Sequence, residues 1–273
     1  MEPVLVAFLV TLAAGLCTGI GSAFAFFTRH TNRALLSLAL GFSAGVMIYV
    51  SFVEILPKAR QSLLLAGESE LRALSTATIG FFAGMLLIAA IDRVVARFSD
   101  PHEGISVELM DVAGGPTEIT RRASLRRVGV LVAVAVALHN FPEGLGTFLV
   151  LLEDPAVGLA LAGAIAIHNI PEGIAVVVPI YYATRNRKLA FGFGALSGLA
   201  EPVGAIIGYA ILQPFITDQV LGVVFAVVAG IMVYISIDSL LPAARQYGSA
   251  HLAIYGMIAG MGVMAASLVL FML

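Results

Sequence analysis

Residues 155–180 read PAVGLALAGAIAIHNIPEGIAVVVPI. Glu172 is the one formal charge in this run, and only His168 and Asn169 add further strong polarity. About 20 apolar residues cross the hydrocarbon core of a bilayer as a helix. The run therefore reads as a membrane span with a histidine, an asparagine, a proline and a glutamate at its middle. The pattern occurs twice: HNFPEG at 139–144 repeats the order of HNIPEG at 168–173, again inside an apolar stretch.

Working outward, the chain of 273 residues is 60% hydrophobic and only 12% charged. A soluble protein of this length exposes far more charge. The apolar runs divide the chain into eight expected spans, at about 3–27, 33–56, 73–97, 127–151, 155–182, 189–213, 218–242 and 250–273. The expected fold is an all-α integral membrane protein, one polytopic domain over 1–273. Residues 98–126, with Gly114, Gly115 and Pro116, are expected to be a flexible cytoplasmic loop. The start, MEPVLVAFLV, lacks the basic region of a secretory signal and reads as a retained span. The single cysteine, Cys17, excludes a disulfide framework or a cysteine-rich zinc module. No basic patch suggests nucleic acid. The partners expected are the bilayer and small ions.

Twelve of the 15 Lys and Arg residues fall in one set of loops: Arg29, Arg33, Arg93, Arg97, Arg121, Arg122, Arg126, Arg127, Arg185, Arg187, Lys188 and Arg245. Lys58, Arg60 and Arg72 fall in the other. The positive-inside bias makes the first set cytoplasmic. With eight spans, both termini are then expected outside.

The chain also repeats itself. GVMIYVSFVEILPKAR (45–60) matches GIMVYISIDSLLPAAR (230–245) at eight of 16 positions. AGMLLIAA (83–90) matches AGMGVMAA (259–266) at five of eight, and Gly15 and Gly19 pair more weakly with Gly194 and Gly198. Spans one to three thus echo spans six to eight. Span one and span six enter from opposite sides, so the repeat is inverted and the chain reads as 3 + 2 + 3. Inverted repeats characterise secondary transporters, whose sites lie near the midplane where the halves meet.

On a helix, His139, Asn140 and Glu143 share one face, as do His168, Asn169 and Glu172. Pro142 and Pro171 free the carbonyls of Leu138 and Ile167, and a freed carbonyl within a membrane needs another partner. Gly144 and Gly173 permit close approach. Glutamate at the centre of a span costs about 2.5 kcal/mol or more on insertion scales. Two such groups face each other here, and Glu201 in SGLAEPVGA adds a third. Their mutual repulsion is relieved by a divalent cation. Imidazole with carboxylate suits zinc, and also iron, manganese, cobalt or nickel. The spacing permits two adjacent sites, one from His139, Glu143, His168 and Glu172, the other from Asn140, Asn169 and Glu201 with Glu143 and Glu172 bridging.

With these boxes, GLAEPVGA (198–205) and the paired EILP (54–57) and SLLP (239–242), the chain resembles the ZIP family of divalent-metal transporters, in particular its bacterial ZupT-like branch. The resemblance extends over all eight expected spans. It implies uptake of Zn²⁺, and of related ions such as iron, manganese, cobalt and cadmium, across the cytoplasmic (inner) membrane toward the cytosol. It implies a binuclear metal centre on spans four, five and six. His139, Glu143, His168 and Glu172 match the first family site; Asn140, Glu143, Asn169, Glu172 and Glu201 match the second. It further implies an elevator-like motion of spans one, four, five and six, a homodimer and no prosthetic group. Many relatives carry a His-rich loop between spans three and four; this loop has only His102.

Two other functions compete. An intramembrane di-metal enzyme would use Glu and His on facing helices, commonly as Glu-x-x-His; this chain has His-x-x-x-Glu and no HExxH or G-x-S-x-G box. A passive metal channel is separated from a carrier by flux, not by motif. Glu54, Asp238, Met47 and Met232 are further candidates for the pathway. Glu153 and Asp154 are candidates for an outer mouth. Asp92 and Arg93 read as interface anchors.

Overall fold

A computed structural model describes residues 2–27, 33–98 and 118–272. The described residues form helices and short connections, with no strand among them. In chain order they are α1 (Glu2–Phe27), α2 (Arg33–Val50), a π turn (Ser51–Ile55), α3 (Leu56–Leu65), α4 (Glu70–Phe98), α5 (Glu118–Glu153) and α6 (Pro155–Thr184). Then come α7 (Arg187–Gly198), α8 (Ala200–Leu212), a 3₁₀ turn (Gln213–Phe215), α9 (Asp218–Ile235), a second π turn (Ser236–Leu240), α10 (Leu241–Tyr247) and α11 (Ala250–Met272).

Among the described residues, seven stretches are long and apolar enough to cross a membrane: Pro3–Ala23, Ala34–Leu65, Glu70–Arg93, Pro155–Val178, Arg187–Phe215, Asp218–Tyr247 and Ala250–Leu270. They fall on seven of the eight expected stretches. The eighth, 127–151, lies within the 36-residue helix α5. The second stretch runs on to Leu65, past Pro57. Of the loop expected at 98–126, residues 99–117, and with them His102, lie outside the described residues, and α5 begins at Glu118.

Large apolar side chains such as Leu16, Ile79, Leu86, Ile211, Ile258 and Leu270 point outward and are exposed, as lipid-facing positions require. Helix ends follow local chemistry. Asp154 caps α6 by accepting from the Ala156 and Val157 amides, with Pro155 in the first turn. Asn186 and Thr217 cap α7 and α9 in the same way.

The helices sort into two groups. One comprises α1, α5, α6, α7 and α8, and the other α2, α3, α4, α9, α10 and α11. The groups meet where α2 and α11 lie against α6, and where α9 lies against α5. Within the second group α2 packs on α11 and α4 on α9, and both seams are built on small residues. A side chain on Gly45 or Gly260 would strike the carbonyls of Met257 or Phe42; one on Gly84 or Gly230 would strike those of Val227 or Phe81. Without a hydrophobic drive between helices in lipid, such close backbone contact is what holds spans together. Gly260→Val is therefore expected to cost about 1–3 kcal/mol by overpacking. Thermal unfolding in detergent measures it, and Gly262→Ala, where no atom lies within 4 Å of the added carbon, should leave the transition in place.

The two π turns occupy corresponding positions of the repeated segments, each just ahead of a proline, Pro57 or Pro242. Proline has no N–H and crowds the carbonyl four residues earlier; widening the turn relieves that crowding. Ser51 and Ser236 hydroxyls donate to the Met47 and Met232 carbonyls at 2.7 and 2.8 Å, so even the side-chain detail matches.

Candidate metal centre

Helices α5 and α6 are joined through Asp154 alone and pack along one another in opposite directions, which brings the two HN-x-PEG boxes face to face. His168 Nε2 stands 2.9 Å from Glu143 Oε1. Asn140, His168, Asn169, Glu172 and Glu201 are fully buried, and Glu143 is 1% exposed. The backbone of His139 lies on α5 within its box, but its side chain lies outside the described residues.

The amides are held by backbone. Asn140 Nδ2 donates to the Ser197 carbonyl at 3.2 Å, and Asn169 Nδ2 donates to the Ala14 carbonyl at 2.9 Å and to Glu201 Oε1. With the nitrogens committed, each amide presents its oxygen elsewhere, and neither Asn140 Oδ1 nor Asn169 Oδ1 has a hydrogen-bond donor. The same is true of Glu143 Oε2, of Glu172 Oε2 and of Glu201 Oε2, whereas Glu143 Oε1 faces His168 Nε2. An acceptor buried without a donor costs about 1–3 kcal/mol, and more when charged. Clustered carboxylates add repulsion in a medium that screens poorly. The arrangement calls for positive charge, as protons or as a cation. In this conformation no three His, Cys, Asp or Glu side chains among the described residues stand in metal-holding geometry; His168 and Glu143 face one another instead.

Two outer helices frame the boxes in a matched way. Gly144 lies against the Glu201 carbonyl and Gly204 against that of Phe141; Gly173 lies against the Thr18 carbonyl and Gly21 against that of Ile170. Ala14, Thr18 and Gly21 of α1 thus stand to the second box as Ser197, Glu201 and Gly204 of α7–α8 stand to the first. The weak sequence pairing of Gly15 with Gly194 is one helical turn away from this register; Gly15 instead faces Gly198. Glu201 itself sits in the first turn of α8, where the helix dipole favours an anion. Pro202, next to it, lacks the N–H that would otherwise reach the Gly198 carbonyl, while the Val203 N–H donates to the Leu199 carbonyl at 3.2 Å.

Sequence reasoning did not single out Ser43 of α2. Its Oγ donates to Glu172 Oε1 at 3.3 Å, and it is fully buried. Nor did it pair Lys58 with Glu153, whose charged atoms lie 3.9 Å apart at one end of α5. Of the secondary candidates, Asp154 is engaged as a helix cap rather than free at a mouth. Met47 and Met232 are fully buried in the core of the second group, Glu54 and Asp238 lie half-buried in the two π turns, and Cys17 donates to the Ala13 carbonyl of its own helix.

Residues 110–268 match the family described as ZIP Zinc transporter. The chain is 57% identical over 272 residues to a protein of Nitratidesulfovibrio vulgaris named zinc transporter ZupT, covering 98% of each chain. It is 56% identical to the zinc transporter ZupT of Chlorobium luteolum, covering 97% of each, and 55% identical to that of Oceanobacillus iheyensis, covering 99% of each.

Proposed function

The chain belongs to the ZIP zinc transporter family, and on that premise we propose that it carries divalent cations, chiefly Zn²⁺, across the cytoplasmic membrane into the cytosol through a binuclear His/Asn/Glu site. Iron, manganese, cobalt and cadmium are proposed as further cargo, since imidazole, carboxylate and amide oxygen accept them all. The first site takes His139, Glu143, His168 and Glu172; the second takes Asn140, Asn169 and Glu201, with Glu143 and Glu172 bridging. The observation that carries this reading is the set of five buried carboxylate and amide oxygens, from α5, α6 and α8, that no donor satisfies. A doubly charged ion satisfies several of them at once, after the His168–Glu143 contact opens.

The proposed architecture has eight spans, α5 being the fourth, in an inverted 3 + 2 + 3 arrangement with both termini outside. The matched contacts of α1 and α7–α8 with the two boxes, and the paired π turns, support it. The division into two helix groups supports an elevator-like motion of the box-bearing group, which favours a carrier over a channel. A homodimer is proposed from the family alone.

Tracer zinc uptake into proteoliposomes tests the function. Saturable zinc accumulation, competed by manganese, iron and cadmium, is expected; currents that scale with voltage without saturating would point to a channel, and no flux would reject the proposal. Zinc should also stabilise the protein in detergent. At one hundred times its dissociation constant the ion adds about 2.7 kcal/mol, and chelation should remove that increment from the melting curve.

A further inference from the structure

Hydroxyls in these spans usually close on their own helix. Thr11, Ser22, Ser51, Ser62 and Ser236 each donate to the carbonyl four residues earlier. Ser43 does not. Its Oγ, wholly buried, leaves α2 and reaches Glu172 Oε1 on α6. Helix α2 lies in the group opposite to the one that carries the boxes. The other bonds to box amides stay within the box-bearing group, from Asn140 to Ser197 and from Asn169 to Ala14 and Glu201. Among the described residues, Ser43 thus brings a polar atom of the opposite helix group to the candidate centre.

A hydroxyl is both donor and acceptor. At 3.3 Å its bond to Glu172 is long and readily given up. When Glu172 Oε1 turns to a cation, rotation about the Cβ–Oγ bond moves the proton aside and presents an oxygen lone pair to the same ion. The reading rests on the cation site proposed above and adds a residue to it. We propose that Ser43 is a specificity-determining residue, a neutral oxygen donor from the opposite helix group that completes the coordination of a cation held at Glu172. Neutral oxygen suits harder ions such as Mn²⁺ and does little for soft ones, whereas sulfur reverses the preference.

The test uses the full-length protein in proteoliposomes, with paired equilibrium dialysis of zinc, manganese and cadmium in detergent. Ser43→Ala is expected to raise KM and the dissociation constant for manganese by about tenfold, the scale of losing one supporting group at a metal site, with Vmax within about twofold. Cadmium should be nearly unaffected. Ser43→Thr, which keeps the hydroxyl, should restore manganese binding. Ser43→Cys should shift the cadmium-to-manganese ratio toward cadmium by at least the same factor. The inference is overturned if Ser43→Ala leaves all three ions unchanged, if it weakens them equally, or if the threonine variant behaves as alanine. Absence of uptake and binding by the wild-type protein would reject the transport reading itself, a separate result from any change confined to Ser43 variants.

Discussion

Alanine at Glu143 or at Glu172 should abolish zinc uptake while leaving the metal-free protein at least as stable as the wild type. Both halves follow from burial. Glu143 and Glu172 each keep one oxygen, Oε2, with no donor. As the proposed ligands these carboxylates would be the main source of negative charge for the cation, and supporting residues at metal sites already cost about 10–100-fold when removed. A bridging carboxylate should cost more than about 100-fold, which reads as background flux. In the metal-free fold the same groups are also liabilities, because each keeps an oxygen buried without a donor, which offsets the contacts to His168 and Ser43 that the variants give up. Differential scanning in detergent should therefore show an unchanged or raised transition, and added zinc should no longer shift it. A variant that transports normally refutes the assignment. A variant that merely unfolds shows the carboxylates to be structural. Glu201→Ala should act differently: its loss leaves both boxes intact, so affinity or ion preference should move more than maximal flux.

Adding one methyl group at Gly144 is the second large effect. A Cβ there would run into the backbone of Glu201, so α5 and α8 must separate and Glu201 must leave its place beside Asn169. Gly144→Ala is expected to lower uptake by more than about tenfold, since small misplacements of positioned groups cost heavily, and to lower the melting transition through overpacking. The same replacement at Gly163, one helix away, meets no atom within 4 Å. There alanine should be neutral or stabilising, by up to about 1 kcal/mol of helix propensity. Uptake and thermal unfolding, measured together on the two variants, should both fall for Gly144→Ala and fall for neither in Gly163→Ala.

Much of the centre was legible because its chemistry sits where chemistry is costly. His, Asn and Glu at three- and four-residue spacing in an apolar run announce one polar helix face, and the duplicate announces a facing partner. Glu201 was visible for the same reason. Ser43 was not, because a serine in a span ordinarily satisfies itself on its own helix, and nothing in GFSAGVMIYV says that this one reaches across. The orientation of the two amides was also hidden, since it depends on the carbonyls of Ala14 and Ser197, and any residue supplies a carbonyl. That same fact explains the misplaced register. Side-chain identity pointed from Gly15 to Gly194, whereas the corresponding contacts run through backbone atoms at Thr18 and Glu201, whose side chains have nothing in common. The Asp154 cap could have been read from Asp-Pro ahead of an apolar run, but its acidity beside an expected membrane surface suggested only an ion-drawing mouth or a plain solvated turn.

A π turn takes one residue more than an α turn, so Ser51–Ile55 and Ser236–Leu240 each hold a surplus residue. Loss of a residue from regular helix swings all that follows by about 100° and turns lipid-facing positions inward. Loss of one from either wide turn would instead restore regular winding and keep the later faces in phase. Chain length in these two rods is thus forgiving at two corresponding positions, which marks them as the places where loss of a single residue can be absorbed.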